Sequence, residues 1–550
     1  MNFFIFFFIF LTRLVFVSPN ALFFDSPEYL KAFSQNSILK ALTYGHLPTH
    51  PLFIFLGRLL GSVSLISACS GIITAVFLFL LVKEIFNEKV ARISILIYSF
   101  LPYVWLSQTN FAIESLLIMF FLASYWFLYR FLKKGKLKFF CLAVIFFIAA
   151  LLTHFSILIF SISFLGLLVL FNLDRKNLVL VILFVTLSLI LSIFIYFLPF
   201  YLTGNLTKEI VRQSLFMHLG ERVDLINFPT GTLRYLRNVS LILIRSVTFI
   251  VLSLSAAGLI VLRKKPKQFW FLLIFFLPFL YSSQFWHVGQ FGRTSLPALI
   301  PVSILVAAFL KKSKFIFFLL LYLIFAYAPI MFRYKSQNQP LLIMQAQQKI
   351  LNQGGLFFDS HLARPFTSYR GEVIHVGFLG GEGQIRAKIK DYLDENKPIY
   401  LDSFALFDPY LSYDASTLHI LGMGKFGVSE AKDIFKNNYL KLEAVADAKN
   451  RVFIYKIINR VSQETLPKDG NYVIISGEAK PGSPVYVYSK RWFERILPQR
   501  FDYFDPVSWL WVFISGRHEP LAWTYADKSG HYEVPIPKGV KELVEVKKEI

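Results

Sequence analysis

Charge is scarce in this sequence, and acidic charge scarcer still. Of 550 residues, 34 are Asp or Glu against 57 Lys or Arg, and charged types together make up 17%. That is too little for a soluble protein of this length, so a soluble fold is not the default reading. Cysteine is almost missing. Cys69 and Cys141 lie inside apolar runs, read as reduced and buried small residues, and leave no disulfide framework or cysteine metal site. No repeat of solenoid period occurs. The glycine-rich stretches GFLGGEG and GMGKFG lack the Lys-Ser/Thr of a phosphate loop and read as turns.

What is there is apolar. Hydrophobic types fill 55% of the chain, 62 residues are Phe, and the mean hydropathy is +0.56. A polytopic membrane protein is the expectation. The formal charge of +23 would suit nucleic acid, but the basic residues fall in short clusters between apolar runs, where they orient a bilayer protein. Residues 2–17, interrupted by Arg13, lack the basic n-region and small-residue cleavage site of a signal peptide and read as a retained helix. Further runs lie near 63–82, 93–107, 113–131, 139–152, 155–171, 178–199, 240–262, 268–284, 295–310 and 315–332, giving about eleven spans.

Five basic clusters set the orientation. They are Lys83, Lys89 and Arg92; Arg130, Lys133, Lys134, Lys136 and Lys138; Arg175 and Lys176; Arg263, Lys264, Lys265 and Lys267; and Lys311, Lys312 and Lys314. All occupy alternate connections, so all share one side, and the positive-inside tendency makes it cytoplasmic. The loop between the first two spans, the 201–239 loop, the 285–294 turn and everything after Arg333 are then outside.

Beyond Arg333 the apolar runs stop. GLFFDS, EVIHVGF, PIYLDS and LHILGMG read as strands, with QIRAKIKDYLDEN and SEAKDIFKNNYL as amphipathic helices and RVFIYKI as a closing edge strand. The expected architecture is therefore an α-helical membrane domain over 1–335, an extracytoplasmic α/β domain over 336–462 and a small β-sandwich over 463–550. In the last, GEAKPG and DKSG turns precede alternating strands and resemble bacterial Ig-like modules, around an aromatic-rich insertion containing WLWVFI.

The loop FFDSPEYLKAFSQNSILKALTYGHLPTHPLFIFLGRLL, residues 23–60, is unusually polar for its place between apolar runs. Asp25 and Glu28 fit a capping box, with Pro27 tolerated in the first turn. The same turn places Asp25, Glu28 and Tyr29 at the membrane surface, where a carboxylate could take the proton of an acceptor hydroxyl. Both readings stand. His46 and His50 are four apart, but Pro48 between them argues against a shared helical face and a metal pair.

The order D-S-x-E-Y, then G-H-x-P-x-H-P-L, then F-L-G-R-L-L resembles the GT-C glycosyltransferases, integral-membrane enzymes that use polyprenyl-phosphate sugars, and their protein O-mannosyltransferase-like branch in particular. Gly45, His46, Pro48, His50, Pro51 and Leu52 stand at matching places, whereas Leu47 and Thr49 depart from the pattern. The resemblance implies Asp25 as the catalytic base and Glu28 as the loop's second acidic residue. LSQTNFAIESLLIMFF adds a second match, in which Glu114 is the acidic residue that opens the fourth helix. Its plain reading is a helix-start carboxylate favoured by the macrodipole.

A polyprenyl-phosphate donor needs cations to hold its phosphate. Arg58, Arg234, Arg237 and Arg293 are the candidates, the last implied by the family's late-loop arginine, with Tyr29, His46, His50 and His287 as further substrate-binding residues. Lys208, Arg212, His218, Arg222 and Arg245 read as solvated charge, with Glu209, Glu221 and Asp224 as partners. No cofactor is called for beyond the lipid-linked donor, and a divalent metal stays open. The expected activity is transfer of a mannose-like hexose to a hydroxyl of a protein, lipid or polysaccharide, without nucleic acid. A transporter or flippase of lipid-linked saccharides and a non-catalytic envelope assembly protein are the competing classes; the scarcity of mid-helix charge weighs against transport.

Overall fold

The computed structural model describes residues 2–17, 26–44, 49–109, 112–172, 174–220, 247–285 and 296–336, and, between 349 and 548, ten strands with adjoining short turns. The chain divides into two units, one holding 1–21 and 28–337 and the other 22–27 and 338–550.

In the first unit, helices occupy the described part of every apolar run of the sequence. They are α1 (Asn2–Phe16), α2 (Ser26–Phe33), α3 (Ile38–Leu42), α4 (Pro51–Leu60), α5 (Val63–Ile85), α6 (Glu88–Phe100), α7 (Pro102–Thr109), α8 (Ile113–Lys134), α9 (Leu137–Thr153), α10 (Ile157–Phe160), α11 (Leu165–Leu170), α12 (Arg175–Leu202), α13 (Lys208–Gly220), α14 (Phe249–Leu262), α15 (Pro266–Phe285), α16 (Leu299–Leu310) and α17 (Phe315–Ser336). Among these, α5, α8 and α12 are long and apolar enough to cross a membrane unaided, and α6 with α7 makes a fourth candidate span bent by 68°. Pro102 supplies the bend. It has no N–H to donate and holds Leu101 before it in an extended conformation. The run near 93–107 is therefore a broken span, not a straight one.

Apolar helices gain little by burying apolar surface among lipid tails, so close packing has to hold them. On α5, Ser67, Gly71 and Ala75 recur every fourth residue and are all buried. Added at Gly71, a Cβ would lie 2.6 Å from Gln108 Cδ of α7. Gly258 does the same service between α14 and α16, where a Cβ would come within 2.1 Å of the Leu305 carbonyl oxygen. The faces that miss such contacts are lipid-like: α12 exposes Val179, Ile182, Ile190 and Phe194. Cys69 and Cys141 also lie on exposed helix faces, so the expectation that protein packing buries them is corrected.

The α5–α6 and α8–α9 connections lie together. Glu84 accepts from Lys133 at 2.5 Å and from Arg130 at 3.3 Å, while Glu88 pairs with Arg92 and, at 3.4 Å, with Lys83. Two of the five basic clusters thus share one end of the helices.

In the second unit, β1 (Leu356–Ser360), β2 (Glu372–Val376), β3 (Ile399–Asp402), β4 (Lys441–Ala448) and β5 (Val452–Ile458) form a mixed sheet in the order β2-β1-β3-β5-β4. β1 pairs in parallel with β2 and β3, and β5 antiparallel with β3 and β4. β5, read from RVFIYKI as an edge strand, is interior. The flanking strand is KLEAVADA, whose small and acidic residues conceal its alternation. LHILGMG and SEAKDIFKNNYL lie outside the described residues, as does most of QIRAKIKDYLDEN. Farther on, β6 (Tyr472–Glu478) pairs antiparallel with β9 (His531–Pro537), and β7 (Pro484–Ser489) pairs antiparallel with both β8 (Ala522–Tyr525) and β10 (Val544–Lys548). The aromatic insertion lies outside the described residues.

Candidate active site

The polar loop of the sequence becomes three short helices, α2 to α4, folded onto the ends of α5 and α8. α2 begins at Ser26, with Pro27 in its first turn and Glu28 next. Its buried residues are Tyr29 and Ala32, one turn apart on a single face. The Tyr29 ring meets Phe53 edge-on at 5.0 Å and His50 at 5.6 Å. Gly57 lets α4 come this close, because a Cβ there would sit 2.4 Å from Phe33 Cζ. Arg58 Nη1 donates to the Phe33 carbonyl at 3.3 Å and to that of Gln35. It thereby satisfies the open carbonyl of the last residue of α2 and one in the turn that follows.

Tyr29 and Ala32 of α2, Ala41 of α3 and Phe53 and Ile54 of α4 form one apolar cluster. It continues into Val63 and Ile66 of α5 and Ile113, Leu116 and Met119 of α8. Glu114 lies in the first turn of α8 and is buried, where the macrodipole favours a carboxylate. The turn before it is fastened: Ser67 Oγ donates to the Ala112 carbonyl at 2.9 Å and accepts from its N–H at 3.3 Å. Ser115 Oγ donates to the Ser107 carbonyl at 2.8 Å. The cluster thus ties the helix of Glu28 to the helix start of Glu114.

His50 is the N-cap of α4, before Pro51 at its first position. Its Nδ1 lies 3.0 Å from the Thr153 carbonyl oxygen, which can only accept, so Nδ1 carries the proton. The His50 ring stacks on His154 at 4.7 Å and 25°. His154 Nδ1 accepts from the Ser156 N–H at 3.1 Å, which leaves its proton on Nε2. Opposite tautomers are thus set by backbone groups at the end of α9. Beside them, the Thr49 N–H donates to the Tyr196 hydroxyl of α12 at 3.0 Å, and that hydroxyl donates to Ser214 Oγ of α13 at 3.1 Å.

Of the residues expected from sequence, Tyr29, His50 and the helices bearing Glu28 and Glu114 come together. Arg58 sits on α4 and grips α2. Asp25, His46, Arg234, Arg237, His287 and Arg293 lie outside the described residues. Arg212 pairs with Glu209 at 2.9 and 2.6 Å, and with Gln213 it holds the exposed Glu209 carboxyl down at about 2. Sequence reasoning missed His154 and Tyr196. The one signal for His154 was its place in the short polar break between two apolar runs. Among the described residues, no group of three or more His, Cys, Asp or Glu could hold a metal ion.

Residues 50–200 match the family model described as dolichyl-phosphate-mannose-protein mannosyltransferase. The matched stretch takes in His50, Arg58, Glu114 and His154 and begins after Asp25, Glu28 and Tyr29. No curated protein matches the sequence. Among solved structures, ArnT from Cupriavidus metallidurans in the apo state is similar, at a TM-score of 0.52 and 12% identity over 81% of this chain and 96% of that one. The same ArnT bound to undecaprenyl phosphate gives a TM-score of 0.49, at 12% identity over 82% of this chain and 96% of that one. The apo Archaeoglobus fulgidus oligosaccharyltransferase gives 0.43, at 12% identity over 99% and 96%. The likeness to apo ArnT is one of fold.

Proposed function

We propose that this chain is a GT-C glycosyltransferase and that it moves a mannose-like hexose from polyprenyl phosphate to an acceptor hydroxyl at the outer face of the cell membrane. The family match over residues 50–200 and the fold likeness to apo ArnT support this reading. The observation that carries the reading is the match to a mannosyltransferase family over residues 50–200, which takes in the helices bearing His50, Arg58 and Glu114.

The chemistry asks little of the protein. Ordinary glycoside hydrolysis needs an acid for the leaving oxygen and a base for the nucleophile. A polyprenyl phosphate leaves as a stable anion, so the acid is not needed. Asp25 accepts the proton of the acceptor hydroxyl, the hydroxyl oxygen attacks the anomeric carbon, and the bond to phosphate breaks with inversion. Glu28 and Glu114 orient acceptor and sugar. Their helices share one apolar cluster, which supports this pairing. Arg234, Arg237 and Arg293 hold the phosphate by charge-assisted hydrogen bonds, a task suited to the guanidinium fork. Arg58 Nη1 is engaged with the Phe33 carbonyl at the end of α2 and the Gln35 carbonyl just beyond it, so its part is to hold the helix of Glu28 and Tyr29 in place.

The basic clusters face the cytoplasm, and the Glu84 pairings that join two of them support that orientation. The 336–462 and 463–550 regions are then extracytoplasmic and engage the acceptor. The test supplies polyprenyl-phosphate mannose, labelled in the sugar, to membranes with and without the protein. Label should leave the polyprenyl-phosphate donor for another molecule, and free polyprenyl phosphate should appear, only where the protein is present. Equal release from both membranes would sink the reading.

A further inference from the structure

A fully buried arginine in the first apolar helix plays no part in the chemistry above. Arg13 of α1 sits at 0% exposure, an expensive place for a cation. Its donors go to neutral oxygens: Nε and Nη2 to Gln108 Oε1 at 3.0 and 2.8 Å, Nη1 to Thr12 Oγ1 at 3.0 Å, and Nη2 also to the Ser99 carbonyl. The rings of Phe100 and Trp105 lie 5.4 and 5.7 Å from its guanidinium carbon.

These partners lie on both sides of the α6–α7 break. Ser99 is in the last turn of α6, where carbonyls lack intrahelical donors and a cation meets the negative end of the dipole. Gln108 is in the last turn of α7 and is braced from behind by Gly71 of α5. Arg13 therefore fixes both halves of the bent span against each other. The end of α7 in turn sets the start of α8, since the Ser107 carbonyl receives the Ser115 hydroxyl and Ser67 holds Ala112 at both its N–H and its carbonyl. Glu114 lies between those two fixed points.

We infer that Arg13 is a positioning residue for Glu114, acting through α7 on where the first turn of α8 holds its carboxylate. The inference rests on the role given to Glu114 above. A lysine cannot replace it, because a single ammonium lacks the fork that reaches Gln108 and Ser99 together.

The test is a double-mutant cycle on the full chain in membranes, with polyprenyl-phosphate mannose as donor. Arg13→Lys should lower kcat about tenfold to a hundredfold, as loss of alignment does, with KM for the donor nearly unchanged. Added to Glu114→Gln, it should cost nothing further, because the group it positions is already gone. Unchanged kcat, or an equal loss in both backgrounds, would overturn the inference, the second by marking a purely structural role. Should Arg13→Lys not fold, Gln108→Met removes the shared acceptor from the other side and is run through the same cycle. If Glu114→Gln is itself fully active, the inference falls together with the role of Glu114. If Glu114→Gln is impaired and Arg13→Lys is not, the inference alone falls.

Discussion

The two ends of the same helices are built from different chemistry. Where α5 meets α6 and α8 meets α9, the polar groups are full charges at the surface: Lys133 and Arg130 on Glu84, Arg92 and Lys83 on Glu88. Where α7 meets α8 and α9 ends, they are buried and mostly neutral: His50 on a carbonyl, Thr49 on Tyr196, Ser67 on Ala112. An exposed ion pair can be lost cheaply because water takes over each partner. A buried hydrogen bond cannot, because its loss strands the group left behind. The first end is suited to orienting the chain in the bilayer, and the second to holding side chains in fixed places.

The contrast is sharpest in activity. Asp25→Asn should lower transfer from polyprenyl-phosphate mannose by about 10²–10⁴, the usual worth of a general base, and Glu114→Gln by about tenfold to a hundredfold. Glu84→Gln, at the basic end, should leave turnover unchanged. All three are compared at equal folded protein in membranes. Wild-type turnover in Asp25→Asn would remove the base from the mechanism, and equal turnover in Glu114→Gln and Glu84→Gln would erase the functional difference between the ends.

Next comes packing. Gly57→Val would drive a branched side chain into Phe33, whose Cζ stands 2.4 Å from where a Cβ would be. Overpacking of this kind costs about 3 kcal/mol at its upper range. Gly135, the C-cap of α8 at the basic end, has φ +67 and open space around it. Its alanine variant should lose only about 1 kcal/mol, the strain of a left-handed residue. Thermal melting of the detergent-solubilised proteins would rank the two. A larger loss at Gly135 would show that the α2–α4 contact does not bear on stability.

These tests bear on what the sequence could reveal. Continuous apolar runs were legible because a bilayer demands them, and β1, β2 and β3 were legible from short apolar stretches between turns. The break at Leu101 was signalled by Pro102 yet was passed over inside an apolar run. Arg13 appeared only as an interruption, because its partners Ser99 and Gln108 are 86 and 95 residues away. His154 showed only as part of a short polar break for the same reason, its significance coming from a stack on the distant His50. Arg58 shows the converse. Its charge suggested a phosphate ligand, and only the fold reveals that its nearest acceptors are the carbonyls of Phe33 and Gln35.

Tyr196→Phe removes one hydroxyl and little volume. It leaves the Thr49 N–H without its acceptor and Ser214 without its donor, at a buried site. A loss of about 2 kcal/mol is expected, seen as a lower melting temperature. Because the hydroxyl ties the loop before α4 to α12 and α13, KM for the lipid donor should also rise. Stability loss with unchanged KM would confine Tyr196 to packing.

The smallest effect belongs to the basic end. Glu84→Gln removes the carboxylate shared by Lys133 and Arg130, whose side chains are 45% and 22% exposed. The close contact at 2.5 Å suggests a strong pair, but exposure decides its worth. Both cations remain able to reach water, and Arg130 keeps its place over the rings of Trp126 and Phe139 at 5.2 and 5.5 Å. The expected loss is below about 1 kcal/mol and should shrink further in high salt. A loss as large as that of Tyr196→Phe would mean that the basic end is as buried in the bilayer interface as the opposite end is in protein. The two ends would then differ in carrying charged or neutral polar groups and not in how firmly they hold them.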